Sequence, residues 1–163
     1  MRPLLSRAPG IVGAALTRVD VVLTVIVDGN HLADETVRLV WSSARGRVAL
    51  ITDAIAAAGA GDGEFMLGDT QVSVVDGAPP VREDGTLAGT VLTMIDAVRN
   101  LHHLGVPLEQ AVGAASTVPA RFLGRSDVGV LEPGAPADIV VLDDRVEIVA
   151  VVSRGDAAVV AGG

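Results

Sequence analysis

The sequence predicts an α/β fold, on three observations. Two apolar, β-branched runs, Val21–Val27 and Val48–Ala54, have the composition of strands buried on both faces. Between them Leu32, Val37, Val40 and Trp41 recur at helical spacing, so the order is strand, helix, strand. From Val128 onward, short β-rich runs alternate with turn signals and predict strands of a separate sheet.

Each element has its own signal. Residues 1–10 read as a loop rich in Pro and Arg, and Ile11–Leu16 as a short helix or turn before the Val21–Val27 strand. The helix over about Ala33–Ser43 carries Asp34 and Glu35 in its first turn, where negative charge suits the helix dipole, and Gly46 stops it. The strand Val48–Asp53 completes a βαβ unit, which implies parallel pairing and a right-handed crossover. Residues 64–87, with turn signals at Gly68-Asp69, Asp76-Gly77 and Asp84-Gly85, predict a small antiparallel meander. Leu92–Leu104 is helical and ends at Gly105. Pro107 opens a second helix to about Ala115, and Pro119 a third ending at Gly124. The tail predicts strands at Asp138–Leu142, Val146–Val152 and Ala157–Val160.

Composition removes several function classes. A net charge of −8 argues against a nucleic-acid or anionic-membrane surface. All 12 basic residues are Arg, so a catalytic lysine is excluded, and the absence of Cys excludes disulfides, thiolate metal sites and Cys nucleophiles. No uninterrupted apolar stretch has the length of a membrane span, and the N-terminus has no signal-peptide core. A soluble, cytoplasmic chain is the default expectation.

The strand ends carry the chemistry. Asp53 closes the second buried run, and the first delivers Asp28-Gly29-Asn30-His31 to the same rim. In α/β folds ligands and catalytic groups gather at the carboxyl ends of strands. The bland alternative for Asp53 is a helix cap, and for His31 a ring bonded to a backbone carbonyl. His102 and His103 are adjacent on a helix, point about 100° apart and cannot chelate one ion together.

Read in order, several segments resemble the C-terminal half of the N-acetylglucosamine-6-phosphate deacetylase family of amidohydrolases. They are Met1-Arg2-Pro3-Leu4, Arg7-Ala8-Pro9-Gly10, Val12-Gly13-Ala14, Asp28-Gly29-Asn30-His31, Thr52-Asp53-Ala54 and Gly85-Thr86-Leu87-Ala88-Gly89 leading to Leu92-Thr93-Met94. The tail Gly129–Asp143 is shared by many amidohydrolases. The resemblance implies the last part of a (β/α)₈ TIM barrel, with Val21–Val27 and Val48–Asp53 as its seventh and eighth strands. Residues 1–127 would be barrel, with the 64–87 meander inserted, and 128–163 strands of a small β-sandwich domain.

The resemblance also assigns roles. Asp53 matches the general acid/base that takes a proton from a metal-bound water and returns one to the departing amine. His31 matches the histidine that contacts substrate or polarises its carbonyl oxygen. Arg7 matches an arginine that reaches the sugar phosphate across a homodimer interface, a role suited to a planar fork of donors; otherwise it is a solvated loop residue. The usual Arg-Glu-Pro-Gly appears here with Ala8, which removes a neighbour that could orient Arg7. Leu92, Thr93 and Met94 resemble the segment lining the sugar pocket, where Val91 replaces a smaller residue and Thr93 has the competing role of helix cap.

The implied cofactor is a divalent metal, zinc or similar, and the implied substrate an amino-sugar phosphate. The family's ligands, a glutamate and two histidines, are expected upstream of Met1, so this chain is expected to bind no metal alone. That start suggests a truncated gene model, a split gene or a fragment. Isolated, the chain is expected to be inactive and prone to aggregate through its open strand edges. Two alternatives remain: a non-catalytic remnant that binds a phosphosugar or a complementary chain, and another amidohydrolase such as a deaminase or cyclic-amide hydrolase.

Overall fold

The parallel strand pair forms where the apolar runs require it, but each strand is shorter than its run. In a computed structural model, which describes residues 4–159, α1 (Gly10–Thr17) leads through β1 (Leu23–Val25) and α2 (Asp34–Ser43) to β2 (Val48–Leu50). Met1, Arg2 and Pro3 of the first motif and Val160 of the last run lie outside the described residues. β1 and β2 pair in parallel, with Leu23 opposite Val48 and Val25 opposite Leu50. The ladder extends one step further, from the Ile51 N–H to the Val25 carbonyl at 3.1 Å. Beyond it Asp53 adopts φ +53°, outside the β region, which ends the extended run. At the entry to β1 the Val21 carbonyl is taken by the Arg47 guanidinium at 2.7 Å instead of a neighbouring strand. The same guanidinium reaches the Leu16 carbonyl at 3.1 Å and ties α1 to the sheet.

The expected meander is present. β3 (Gly63–Leu67) and β4 (Thr70–Val74) pair antiparallel across the Gly68-Asp69 turn. Single antiparallel bridges then join Ser73 to Val81 and Val81 to Leu87. Asp62 closes its base by accepting from the backbone amides of Asp76 at 2.8 Å and Gly77 at 3.0 Å.

The three following helices supply most of the remaining core. They are α3 (Met94–His103), α4 (Leu108–Ala115) and α5 (Thr117–Phe122). α3 starts at Met94 and not Leu92, because Thr93 is its N-cap and accepts the Asp96 amide. α5 starts two residues before Pro119; the ring sits in the first turn, where no helical N–H bond is lost. Ala97, Val98 and Leu101 of α3 and Ala111 and Ala114 of α4 pack in one core with Val25, Val27, Val37, Val48 and Leu50.

The tail forms a separate antiparallel sheet of β5 (Ile139–Leu142), β6 (Ile148–Ser153) and β7 (Asp156–Val159) in that order. β6 begins at Ile148 because Val146, at φ +63°, belongs to the turn, and the register shifts between Val141 and Leu142. Arg99 joins this sheet to the helices, with Nη2 3.0 Å from Glu147 and 3.1 Å from the Val146 carbonyl. Among the described residues no helix is long and apolar enough to cross a membrane. Apolar surface remains open on α1, which buries none of its residues, and on the tail sheet at Val140 and Val149.

Two expectations follow. Leu101 is only 1% exposed, so Leu101→Ala should lower unfolding stability by about 2–5 kcal/mol. At Leu131, 82% exposed, the same change should stay within about 0.5 kcal/mol. Denaturant midpoints of the two variants test the contrast. The Gly77 and Asp76 amides hold the Asp62 carboxyl below the usual carboxylate range. A group with a lowered folded pKa stabilises the fold above its unfolded pKa, and that contribution is lost as pH falls through the folded value. The stability gap between wild type and Asp62→Asn should therefore be present near neutral pH and shrink below about pH 4. A gap that does not change with pH would contradict the assignment.

Candidate functional site

The rim beyond β1 and β2 is built from two short turns, the first fixed by side-chain hydrogen bonds and the second by hydrogen bonds to Thr90. After Val27 the chain turns through Asp28-Gly29-Asn30-His31, with Gly29 at φ +74°. The Asp28 carboxylate organises this turn: Oδ1 accepts from the amides of Asn30 at 3.0 Å and His31 at 2.9 Å. Its Oδ2 lies 2.8 Å from His31 Nδ1. The side chain is only 6% exposed. Burial alone would push this carboxyl up, but the hydrogen bonds from the His31 amide and ring and the Asn30 amide outweigh it. They hold Asp28 below the ordinary carboxylate range. From α3, Asn100 Nδ2 donates to the Val27 carbonyl at 2.8 Å and anchors the strand end.

The second turn presents Asp53. Its left-handed backbone is one that Asp tolerates better than most residues. Thr90 fastens it. The Thr90 amide donates to the Asp53 carbonyl at 2.9 Å, and Ile55 N–H donates back to the Thr90 carbonyl at 3.1 Å. Thr90 Oγ1 donates to the Thr52 carbonyl at 2.6 Å and accepts the Leu92 amide at 3.0 Å. Gly89, at φ +98°, allows this close approach: a Cβ there would stand 2.9 Å from the Asp53 carbonyl oxygen.

The two turns bring His31 and Asp53 together, with Nε2 and Oδ2 3.9 Å apart. That gap is too long for a direct hydrogen bond but suits an intervening atom bonded to both. Asp53 is 53% exposed and His31 23%, so the gap opens to solvent. The pair can move a proton and meet a polar substrate atom from one side.

The other candidates stand elsewhere. Arg7 lies exposed in the turn closed by the Ala8 amide on the Leu5 carbonyl, and it makes no ion pair among the described residues. Leu92 is tied to the Asp53 turn through Thr90. Thr93 spends its hydroxyl on the helix cap, and Met94 lines an apolar cavity of about 520 Å³ with Val98, Val112, Ile139 and Ile148. Neither His31 nor Asp53 lines that cavity. His102 Nδ1 sits 2.8 Å from the Val106 carbonyl, as a structural ring would. The sequence alone gives Asp28 no role and does not single out Thr90. An Asp three residues before a candidate histidine was the signal for the first.

The donors do not make a metal centre. Both Asp28 oxygens and His31 Nδ1 are committed to each other or to amides, which leaves Nε2 and Asp53. A divalent ion such as zinc takes at least three protein ligands. Among the described residues no group of three His, Cys, Asp or Glu side chains is placed to hold one.

The sequence matches the profile of the "Amidohydrolase family" over residues 10–161. The N-acetylglucosamine-6-phosphate deacetylase of Vibrio furnissii is 38% identical over 150 residues, covering 91% of this chain and 37% of that protein. A putative N-acetylgalactosamine-6-phosphate deacetylase of Escherichia coli K12 is 39% identical, covering 97% of this chain and 95% of that protein. The crystal structure of the Thermotoga maritima N-acetylglucosamine-6-phosphate deacetylase superposes with a TM-score of 0.89 at 39% identity, over 96% of this chain and 43% of that one. The chain thus spans about two fifths of the Vibrio and Thermotoga proteins and nearly all of the K12 one. With the family profile matched from α1 into the tail sheet, the chain belongs to the amidohydrolase family.

Proposed function

We propose that this chain carries the proton-transfer and carbonyl-contacting residues of a deacetylase. Its reaction would be hydrolysis of N-acetylglucosamine 6-phosphate to glucosamine 6-phosphate and acetate. The supporting observation is the His31–Asp53 pair, 3.9 Å apart at the open carboxyl ends of two buried parallel strands. As water attacks the acetyl carbon, Asp53 accepts its proton, and His31, carrying a proton on each ring nitrogen, donates Nε2–H to the carbonyl oxygen. When the C–N bond breaks, Asp53 returns the proton to the amine nitrogen. One carboxylate at a solvent-open rim serves both transfers. Relatives named for the galacto epimer are as similar as those named for the gluco epimer, and hydrolysis of either substrate breaks the same bond.

Deacetylases of this family are metal-dependent in general. Because the described residues do not make a metal centre, the ligands would come from other residues. That mismatch favours a second reading, a non-catalytic chain that binds the phosphosugar or a complementary polypeptide.

The same proposal extends to architecture. β1 and β2 would be the last two strands of a (β/α)₈ barrel spanning residues 1–127, with the meander as an insertion, and 128–163 would belong to a β-sandwich. Parallel pairing with β2 wholly buried supports the first part, and the separate antiparallel tail sheet supports the second. Arg7, exposed on its turn, would meet the sugar phosphate across a homodimer interface. Leu92, Thr93 and Met94 would border the sugar; the tie from Leu92 to Thr90 supports their nearness to Asp53.

The test is release of free amine from both epimers, with a divalent metal, by the chain alone and joined to the rest of the Thermotoga maritima relative. Turnover is expected in the joined form, and Asp53→Asn should reduce it on the order of 100- to 10,000-fold. Binding without turnover in either form would favour the second reading, and neither binding nor turnover would sink both. Gly89→Ala forces a Cβ toward the Asp53 carbonyl in a backbone conformation unfavourable to Ala. It should cost about 1–3 kcal/mol in thermal or denaturant unfolding and reduce turnover of the joined form.

A further inference from the structure

We infer that Asp28 is a positioning residue that fixes His31 with its proton on Nδ1, so that Nε2 faces the gap to Asp53. The hydrogen-bond inventory of one carboxylate carries the inference. Oδ1 accepts two backbone amides, from Asn30 and His31, and Oδ2 lies 2.8 Å from the ring nitrogen. An ionised carboxylate only accepts, so the ring nitrogen facing it must donate. Asp28 is almost fully buried, and its hydrogen bonds favour the ionised form, so the acceptor is held in place. The turn thus determines both the plane of the imidazole and which nitrogen meets substrate. An acidic partner behind a catalytic imidazole sets its tautomer in the same way in other hydrolases.

The asymmetry of an amide gives the test its edge. In Asp28→Asn a single oxygen remains to accept the two backbone amides, and the NH₂ then faces His31 Nδ1. A donor there requires Nδ1 to be bare, so the neutral ring should carry its proton on Nε2. The His102 ring, whose Nδ1 lies 2.8 Å from the Val106 carbonyl, must also donate through Nδ1 and acts as an internal reference.

¹⁵N spectroscopy of histidine-labelled full chain, at roughly pH 8 where imidazole is ordinarily neutral, reads the protonation of each ring nitrogen. His31→Gln assigns the signal. Wild type is expected to show His31 Nδ1 protonated. Asp28→Asn is expected to show it bare, with the His102 pattern unchanged. A bare Nδ1 in wild type overturns the inference by itself, whether or not the variant folds. So does an Nδ1 proton retained in a variant whose His102 signal is intact. The consequence for turnover rests on the deacetylase proposal, but the state of the ring does not. Failure of one is therefore distinguishable from failure of the other. In the joined enzyme, Asp28→Asn should lower kcat at least roughly tenfold, because the Asn NH₂ disfavours a proton on Nδ1 and so the doubly protonated ring that would donate Nε2–H to the carbonyl oxygen. KM should change little, because other substrate contacts remain.

Discussion

Burial of β2 on both faces is the constraint on which the rest depends. Val48, Ala49 and Leu50 are each nearly inaccessible, enclosed by Val25 and Val37 and by residues of α3 and α4. Each large side chain so buried contributes roughly 1.5–3 kcal/mol relative to exposure. The parallel ladder then fixes the height at which both chains leave the sheet, since Leu23 faces Val48 and Val25 faces Leu50. A slip of one residue would turn every β2 side chain to the opposite face and move the Asp53 turn with it. The rim has one position because the core has one register.

From that rim outward, control passes from side-chain packing to hydrogen bonds that side chains make with the backbone. Asp28 holds His31 through amides two and three residues away, and Thr90 holds Asp53 through its own amide and hydroxyl. These bonds lie in short turns at the strand ends, and the groups that make them are buried: Thr90 is 2% exposed and the Asp28 side chain 6%. Asp53 remains about half exposed and His31 largely covered while their backbones are fixed. That combination suits proton transfer, which needs an accessible carboxylate in a constant position.

This division explains how much was legible in the sequence. Elements driven by burial were readable, because apolar period and β-branched content report burial directly. The βαβ unit, the meander and the α3–α4 pair all follow from such patterns. Boundaries set by single hydrogen bonds were not. Apolar content continues through Ile51 and ran the second strand on to Asp53, although the backbone turns there. Pro119 marked a helix start that Thr117 supplies. At the site, His31 and Asp53 were legible as polar ends of apolar runs, whereas Thr90 was not. Its role depends on a contact 38 residues back, at Thr52, which no local pattern encodes. Asp28 was legible in principle, since an Asp beside Gly and Asn announces a side-chain-bonded turn. Its second oxygen also makes a local contact, to the ring three residues on, which depends on the His31 side-chain conformation and not on any sequence period.

The His31–Asp53 pair and the other candidate residues stand on separable parts of this chain. The His31–Asp53 pair is organised by residues 28–31, bonded among themselves, and by residues 52–55, bonded to Thr90. Arg7 stands on a turn before α1, and Met94 faces a cavity shared with α4 and the tail sheet. Neither donates to nor accepts from the proton-transfer turns. A change at Arg7 or Met94 can therefore occur without moving Asp53 or His31. Relatives of equal similarity carry the names of two epimeric substrates. The reaction at the acetyl group is the same for both, and the sugar differs at a distance from it. Under the proposed function, a rim held by its own hydrogen bonds would keep that reaction constant while the surrounding wall varies.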